Sequence, residues 1–343
     1  MLDWHERWNR ALRAQHEQLF DYDRETIKEE YAQYTDCPVC GQNDASLLFE
    51  KDWFRYVRCR NCSMVYLNPR LTDVATHQFY NSEANAIYNE SKFDQVTSSS
   101  IWDDRANLTN LDWIDRHRHS VKGRLLEIGS AKGYFLQKAR EIGYWIYGLE
   151  LNTKNWQYSR ELLGDTILNV DLLEAQFPSE MFDVIYMRDL IQHIPNPKAF
   201  LLECQRIAKP GCTLFIGTHN IDGFISKIVK SRYTPIFGFM EPNHFSPRTI
   251  SRMLGLTGFA VRDIQFESLD FTIGEIIRYF EAPTFTTVYP EEISLRQRFF
   301  LRLLRAPFAR WPLRYLDRHI MPQIANWLKR GGWMNVLAEK SAL

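Results

Sequence analysis

The chain has 343 residues, length enough for two or three domains of ordinary size. With 45% apolar and 24% charged residues it is a folded globular protein, not a disordered or fibrous one. Lys+Arg and Asp+Glu number 42 each, so the formal net charge is zero, which weighs against a dedicated nucleic-acid binder.

Residues 1–34 read as one amphipathic helix, because Trp4, Trp8, Leu12 and Leu19 recur near helical spacing with Asp3, Glu6, Arg7 and Arg10 between them. Charges from Asp3 onward leave no apolar stretch of the kind a secretory leader needs, and no run approaches the ~18 apolar residues of a membrane span. A cytoplasmic location is expected, with the six cysteines held as thiols or metal ligands rather than disulfides. The 10 Trp, 16 Tyr and 22 Phe suit either a large aromatic core or a pocket for a flat or ring-shaped substrate.

Residues 35–68 change character. Cys37-Pro38-Val39-Cys40-Gly41 and Cys59-Arg60-Asn61-Cys62-Ser63 form a C-x2-C pair repeated after 18 residues, with short β-like runs between and after them. Two such knuckles supply four thiolates, the closed tetrahedral set of structural zinc. Two redox dithiols are the competing reading. Four protein ligands leave no open position, so the metal is expected to stabilise a module too small for much core of its own. Residues 69–120 read as a polar, helical linker.

From Val121 strands and helices alternate. Strands are predicted at Arg124–Ile128, Trp145–Leu149, Thr166–Val170, Phe182–Met187, Thr213–Thr218 and Ala260–Phe266, with a last one at Trp333–Glu339. Helices fall at Tyr134–Glu141, before Gly164, from Pro197 to Lys209 after an Asn196 cap, and after Ser246-Pro247. This alternation implies an α/β, doubly wound parallel sheet over 121–269 plus 333–343. A helical insertion is expected over 270–332.

The first strand runs into Glu127-Ile128-Gly129-Ser130-Ala131-Lys132-Gly133-Tyr134. Gly129 and Gly133 permit a tight turn and close ligand approach, and the following helix N-terminus offers free N–H groups. The dinucleotide fingerprint needs Gly where this chain has Ala131 and Tyr134, which disfavours an oxidoreductase. The second strand ends in Glu150, placed about 20 residues on to hold two ribose hydroxyls. Each residue also has a plainer reading: a tight turn for the glycines, a solvated strand end for Glu150, a helix cap for Asp171.

Taken in order, the glycine turn, Tyr147-Gly148-Leu149-Glu150, Val170-Asp171, the segment Asp189-Leu190-Ile191-Gln192-His193-Ile194-Pro195-Asn196-Pro197 and the turn Lys209-Pro210-Gly211-Cys212 resemble the Rossmann-like class I S-adenosylmethionine (SAM) dependent methyltransferases. In that family's post-strand-four segment, Gln192 stands where a Glu is usual and Asn196 where an Asp is usual. The resemblance implies a SAM site at Glu127, Gly129, Ala131, Gly133, Tyr134, Glu150, Leu151, Asp171, Leu172 and Arg188. The ribbon-plus-methyltransferase arrangement resembles bacterial enzymes acting on sugars and other small metabolites. The implied acceptor is therefore a small molecule or glycan, lipid-linked forms included, with transfer to oxygen.

A hydroxyl acceptor benefits from a general base. Asp189 and His193 follow strand four, His219 follows strand five, and His244 precedes the Ser246 cap. These four are the catalytic candidates, each with structural contacts as the alternative. Arg296, Arg298, Arg302, Arg305, Arg310, Arg314 and Arg318 interleave with aromatic and aliphatic residues, opposed only by Asp317. Such a segment suits peripheral contact with an anionic membrane through 296–318, or a lid or homodimer element. Competing functions are an RNA methyltransferase whose ribbon grips nucleic acid, and a SAM-binding protein without turnover.

Overall fold

The computed structural model describes residues 4–98, 100–118, 122–232, 236–267, 320, 328 and 330–341. The chain divides into two units. One comprises Met1–Lys92, His219–Thr249 and Gln265–Met334; the other comprises Phe93–Thr218, Ile250–Ile264 and Asn335–Leu343.

The first unit opens with helix Trp4–Leu19, which buries Trp8, Ala11, Leu12, His16 and Leu19 on one face. The helix expected to run to residue 34 stops here. Phe20–Asp21 pairs antiparallel with Thr26–Ile27 instead, around a turn in which Asp21 Oδ1 accepts the N–H groups of Asp23 and Arg24. That Asx turn offers the backbone a local partner that competes with helix. Lys28 Nζ then donates to the Glu17 and Gln18 carbonyls, satisfying groups the ended helix leaves without intrahelical partners. Periodicity alone could not register this stop.

Four strands, in spatial order Asn243–His244, Val65–Leu67, Phe54–Cys59 and Ala45–Lys51, build the ribbon sheet. Its apolar side joins a core of Trp8, Phe20, Phe54, Phe79, Phe237 and Phe239. A good part of the aromatic load is thus core. At Gly238 a Cβ would lie 2.4 Å from the Phe54 ring, so chain and ring approach there as only glycine permits. The expected linker is three helices, Asp73–Tyr80, Glu83–Ser98 and Ser100–His117, divided between the two units.

The second unit is built on seven strands in the order Ile167–Leu168, Trp145–Leu149, Arg124–Ile128, Phe182–Arg188, Ala208–His219, Trp333–Lys340 and Phe259–Glu267. The first five pair in parallel. Read by chain order the sheet runs 3-2-1-4-5-7-6, so its direction of growth reverses between Arg124–Ile128 and Phe182–Arg188. Ligands bind at the carboxyl ends beside such a reversal. Stacked Phe135, Tyr186 and Phe215 fix the sheet to its helices, with ring centroids 3.6 and 4.5 Å apart.

The fifth strand begins earlier than predicted. Phe182 pairs with Ala208, and the register then jumps to Val184 with Thr213, so Lys209–Cys212 bulge out of the ladder around Gly211 at φ +73. Lys340 Nζ donates to the Ala208 carbonyl and Lys209 Nζ reaches Asp183 Oδ2, both at 2.8 Å, which anchors the bulge on both sides.

The expected insertion over 270–332, with its arginine run at 296–318, lies outside the described residues except for Ile320, Leu328 and residues 330–332. The described residues at its two sides meet in the first unit. A Cβ on Gly331 would lie 2.6 Å from the Glu267 carbonyl oxygen. Asn220 N–H donates to Gly332 O at 2.7 Å, Asn220 Nδ2 to Gly331 O at 3.0 Å, and Phe224 N–H to Arg330 O at 3.0 Å.

Candidate active site and metal centre

The glycine turn of the second unit is built by its own backbone. Gly129 and Ser130 both donate N–H to Leu149 O, at 2.8 and 2.9 Å, and Gly133 N–H returns to Ser130 O at 2.8 Å. Gly129 and Gly133 sit at φ +77 and Ala131 at +45. Gly133 is needed twice over: its angle is left-handed, and a Cβ would lie 2.6 Å from Leu163 Cδ1. The turn thus brings helix Tyr134–Glu141 against helix Thr153–Leu163.

Glu150 locks this turn to the second strand. Its Oε2 accepts Ala131 N–H at 2.7 Å and its Oε1 accepts Asn152 N–H at 2.6 Å. Asn169, which sequence reasoning passed over, donates its Nδ2 to Glu150 O at 2.7 Å and Leu151 O at 3.0 Å. Burial raises the Glu150 carboxyl above its usual range, and the Asn152 and Ala131 N–H groups oppose that rise. Glu127 is 7% exposed; burial, reinforced by the charge of Glu150, raises its carboxyl well above the usual range.

Two buried polar atoms in this turn, Glu127 Oε2 and Ser130 Oγ, have no hydrogen-bond partner. Buried polar atoms are ordinarily satisfied, so this pair of unmet groups beside a left-handed glycine turn fits a polar ligand's amino-acid end. Asp171 is exposed, and its Oδ1 accepts Glu174 N–H at 2.7 Å; it closes a turn, and the helix it was expected to cap is not formed. Leu172 is buried and Leu151 is 67% exposed. Arg188 ends the fourth strand. Tyr134 sits at the first position of its helix, its hydroxyl 3.3 Å from that of Tyr158.

Among the catalytic candidates, Asp189 and His193 lie in this unit. Asp189 turns out of the fourth strand at φ +58, its N–H still bonded to Gly217 O at 2.8 Å. Asp189 Oδ1 accepts Gln192 Nε2 at 2.5 Å, and Gln192 Oε1 accepts Thr218 Oγ–H at 2.9 Å. His193 ends a short 3-10 turn, its Nε2 3.5 Å from the Gln192 amide nitrogen. His219 and His244 fall in the other unit. His219 meets the Trp333 ring edge-on at 4.7 Å, and His244 pairs with Val65 in the ribbon sheet, its ring 5.3 Å from that of Tyr56. Sequence reasoning did not identify Gln192 and Thr218 as a pair. The signal was the departure from Glu at 192.

The four ribbon cysteines converge. Cys37 and Cys62 Sγ are 3.4 Å apart, Cys40 and Cys59 Sγ are 3.5 Å apart, and all four sulfurs lie within 4.8 Å of one another. A tetrahedron with Zn–S near 2.3 Å has edges of about 3.8 Å, so the set fits zinc. The two knuckles share one geometry. Gly41 N–H bonds Cys37 O and Ser63 N–H bonds Cys59 O, each at 2.9 Å, with Gly41 and Ser63 both at φ +68. Burial pushes the Cys37 and Cys62 thiols upward. A divalent cation is what stabilises such close thiolates.

Residues 102–264, just under half of the chain, match the family model described as a methyltransferase domain. A ubiquinone biosynthesis O-methyltransferase of Azoarcus sp. (strain BH72) is 28% identical over 136 residues, covering 37% of this chain and 58% of that protein. The namesake from Erwinia tasmaniensis is 24% identical over 160 residues, covering 42% of this chain and 65% of its own length. The chain thus spans less than two thirds of these relatives. A solved SAM-dependent methyltransferase from Archaeoglobus fulgidus aligns with a TM-score of 0.42 at 18% identity, over 69% of this chain and 94% of that one. On this match and the sheet order, residues 102–264 are a methyltransferase domain of the Rossmann-like α/β kind.

Proposed function

We propose that the chain transfers a methyl group from SAM to a hydroxyl oxygen of a small-molecule or glycan acceptor, with one structural zinc in the ribbon. The observation that carries this reading is the Glu150 clamp: Oε2 accepts the Ala131 N–H of the glycine turn while Oε1 is fixed by Asn152 N–H just past the second strand, at the sheet's reversal. A turn held in this way is set for its ligand before the ligand arrives.

Glu127, Ser130 and the turn's backbone would hold the amino-acid end, Glu150 the sugar, and Leu151 and Leu172 the base. When bound, SAM supplies an activated methyl group on a good leaving group. Positioning then provides much of the acceleration, and Asp189 or His193 takes the acceptor's proton. Oxygen as the target is also in keeping with relatives named as O-methyltransferases.

The RNA reading has less support. Arg55, Arg58 and Arg60 of the ribbon each have a carboxylate at 3.2–3.3 Å, from Glu50, Asp222 and Asp44, so the ribbon presents no patch of one sign there. The test is direct. Calorimetry with S-adenosylhomocysteine establishes the site; labelled-methyl transfer from SAM into catechol, hydroxybenzoates, monosaccharides and total RNA, with and without RNase, establishes the acceptor. Label confined to RNase-sensitive material would replace this reading.

A further inference from the structure

Gln192 is 1% exposed and Thr218 is 0% exposed, yet both are polar. The amide between them has one orientation that satisfies both neighbours. Thr218 Oγ donates to Oε1 at 2.9 Å, and Nε2 donates to Asp189 Oδ1 at 2.5 Å. The flipped amide would set its carbonyl oxygen against the Asp189 carboxylate, acceptor against acceptor. A buried amide fixed at one end by a hydroxyl is a rigid donor at the other.

The residue it grips is itself held out of regular structure. Asp189 stands at φ +58 directly after the fourth strand, with its N–H tied to Gly217. Backbone and side chain are therefore fixed by two separate elements. Position 192 is also where the resembling segment has Glu. A Glu there would put a second carboxylate against Asp189, and like charges so close disfavour joint ionisation.

We propose that Gln192 is the positioning residue for Asp189: it holds the carboxylate in one orientation, as a proton acceptor for the hydroxyl of the methyl acceptor. The inference rests on the reading of a SAM-dependent O-methyltransferase. The hydroxyl's proton moves to the carboxylate, leaving the oxygen's electron pair for the methyl carbon. Thr218 serves at one remove, by setting the amide.

The full-length protein loaded with S-adenosylhomocysteine, labelled with nitrogen-15 at glutamine, tests the linkage without an acceptor. The Gln192 side-chain amide, assigned by its loss in Gln192→Leu, should shift and exchange at least tenfold faster in Asp189→Ala. Thr218→Val should do the same, and Thr218→Ser should leave it as it was. An amide resonance unmoved by Asp189→Ala overturns the proposal whether or not an acceptor is found. With catechol as acceptor, Gln192→Leu and Gln192→Glu should lower kcat at least tenfold with S-adenosylhomocysteine affinity within twofold of wild type. The double variant Gln192→Leu/Asp189→Asn should be no slower than Asp189→Asn alone. Additive losses overturn the proposal. Failure to bind S-adenosylhomocysteine overturns the functional reading instead, and the two failures are told apart by that titration.

Discussion

The cysteine knuckles and the glycine turn are both tight turns with left-handed residues, but they are held by different means. At the glycine turn, the sheet supplies the restraint: Leu149 O takes two N–H groups and Glu150 takes one. At the knuckles, local backbone bonds shape each turn, and the four sulfurs are brought within 4.8 Å of each other. In the proposed zinc-bound form the four sulfurs share one cation. The glycine turn is held by the chain itself; on the proposed zinc reading, the knuckles are completed by a ligand. Ligand removal should therefore leave one region folded and disturb the other.

The largest expected effect sharpens that contrast. Chelation, or Cys37→Ser, should remove about one equivalent of zinc and cost at least ~4 kcal/mol, lowering the melting temperature by roughly 8 °C or more. Metal analysis and calorimetry check it; a metal-free wild type of equal stability would sink the zinc assignment. Next is Gly133→Val, which meets both the φ of +77 and the Leu163 contact at 2.6 Å. It should destabilise by about 3 kcal/mol in denaturant titration.

Glu150→Ala removes a hydrogen-bonded carboxylate without such a clash. S-adenosylhomocysteine affinity should fall roughly 10- to 100-fold, and unchanged calorimetric titrations would contradict the site. A smaller effect concerns His16, buried with its ring stacked 4.0 Å from Phe20 and its Nε2 3.2 Å from Asp52 O. Burial lowers its pKa from 6.5 to about 4, against the pull of the Asp52 carbonyl. The unfolded chain then binds the proton first, so this contribution is complete above pH 6.5 and is lost as pH falls toward 4. Stability curves of wild type and His16→Gln should converge over that window. The smallest effect is at Ser63, which adopts the φ of +68 that Gly41 adopts in the twin knuckle. Ser63→Gly should stabilise by about 0.5 kcal/mol, read as a small rise in denaturation midpoint.

Much of this was legible in the sequence where local rules and global fold agree. Arg124–Ile128, Tyr134–Glu141 and Trp145–Leu149 occupy the residues predicted, because each is a short apolar or amphipathic run bounded by glycine. The four cysteines announced their convergence by spacing. What escaped was set by side chains reaching back to the chain: Asp21 and Lys28 ending the first helix, Lys340 and Lys209 pinning the bulge before the fifth strand, Asn169 bracing Glu150. None of these leaves a periodic trace. Gln192 left a trace of another kind, a departure from an expected acid, whose meaning needed the Thr218 and Asp189 distances.

The meeting of Glu267 with Gly331 has a consequence for how this chain tolerates change. The residues that flank 268–329 meet there, with Arg330, Gly331 and Gly332 bonded to Phe224 and Asn220. Closing a long excursion costs only logarithmically more than closing a short one. A few glycines joining Glu267 to Arg330 should therefore let both flanking strands form unaltered.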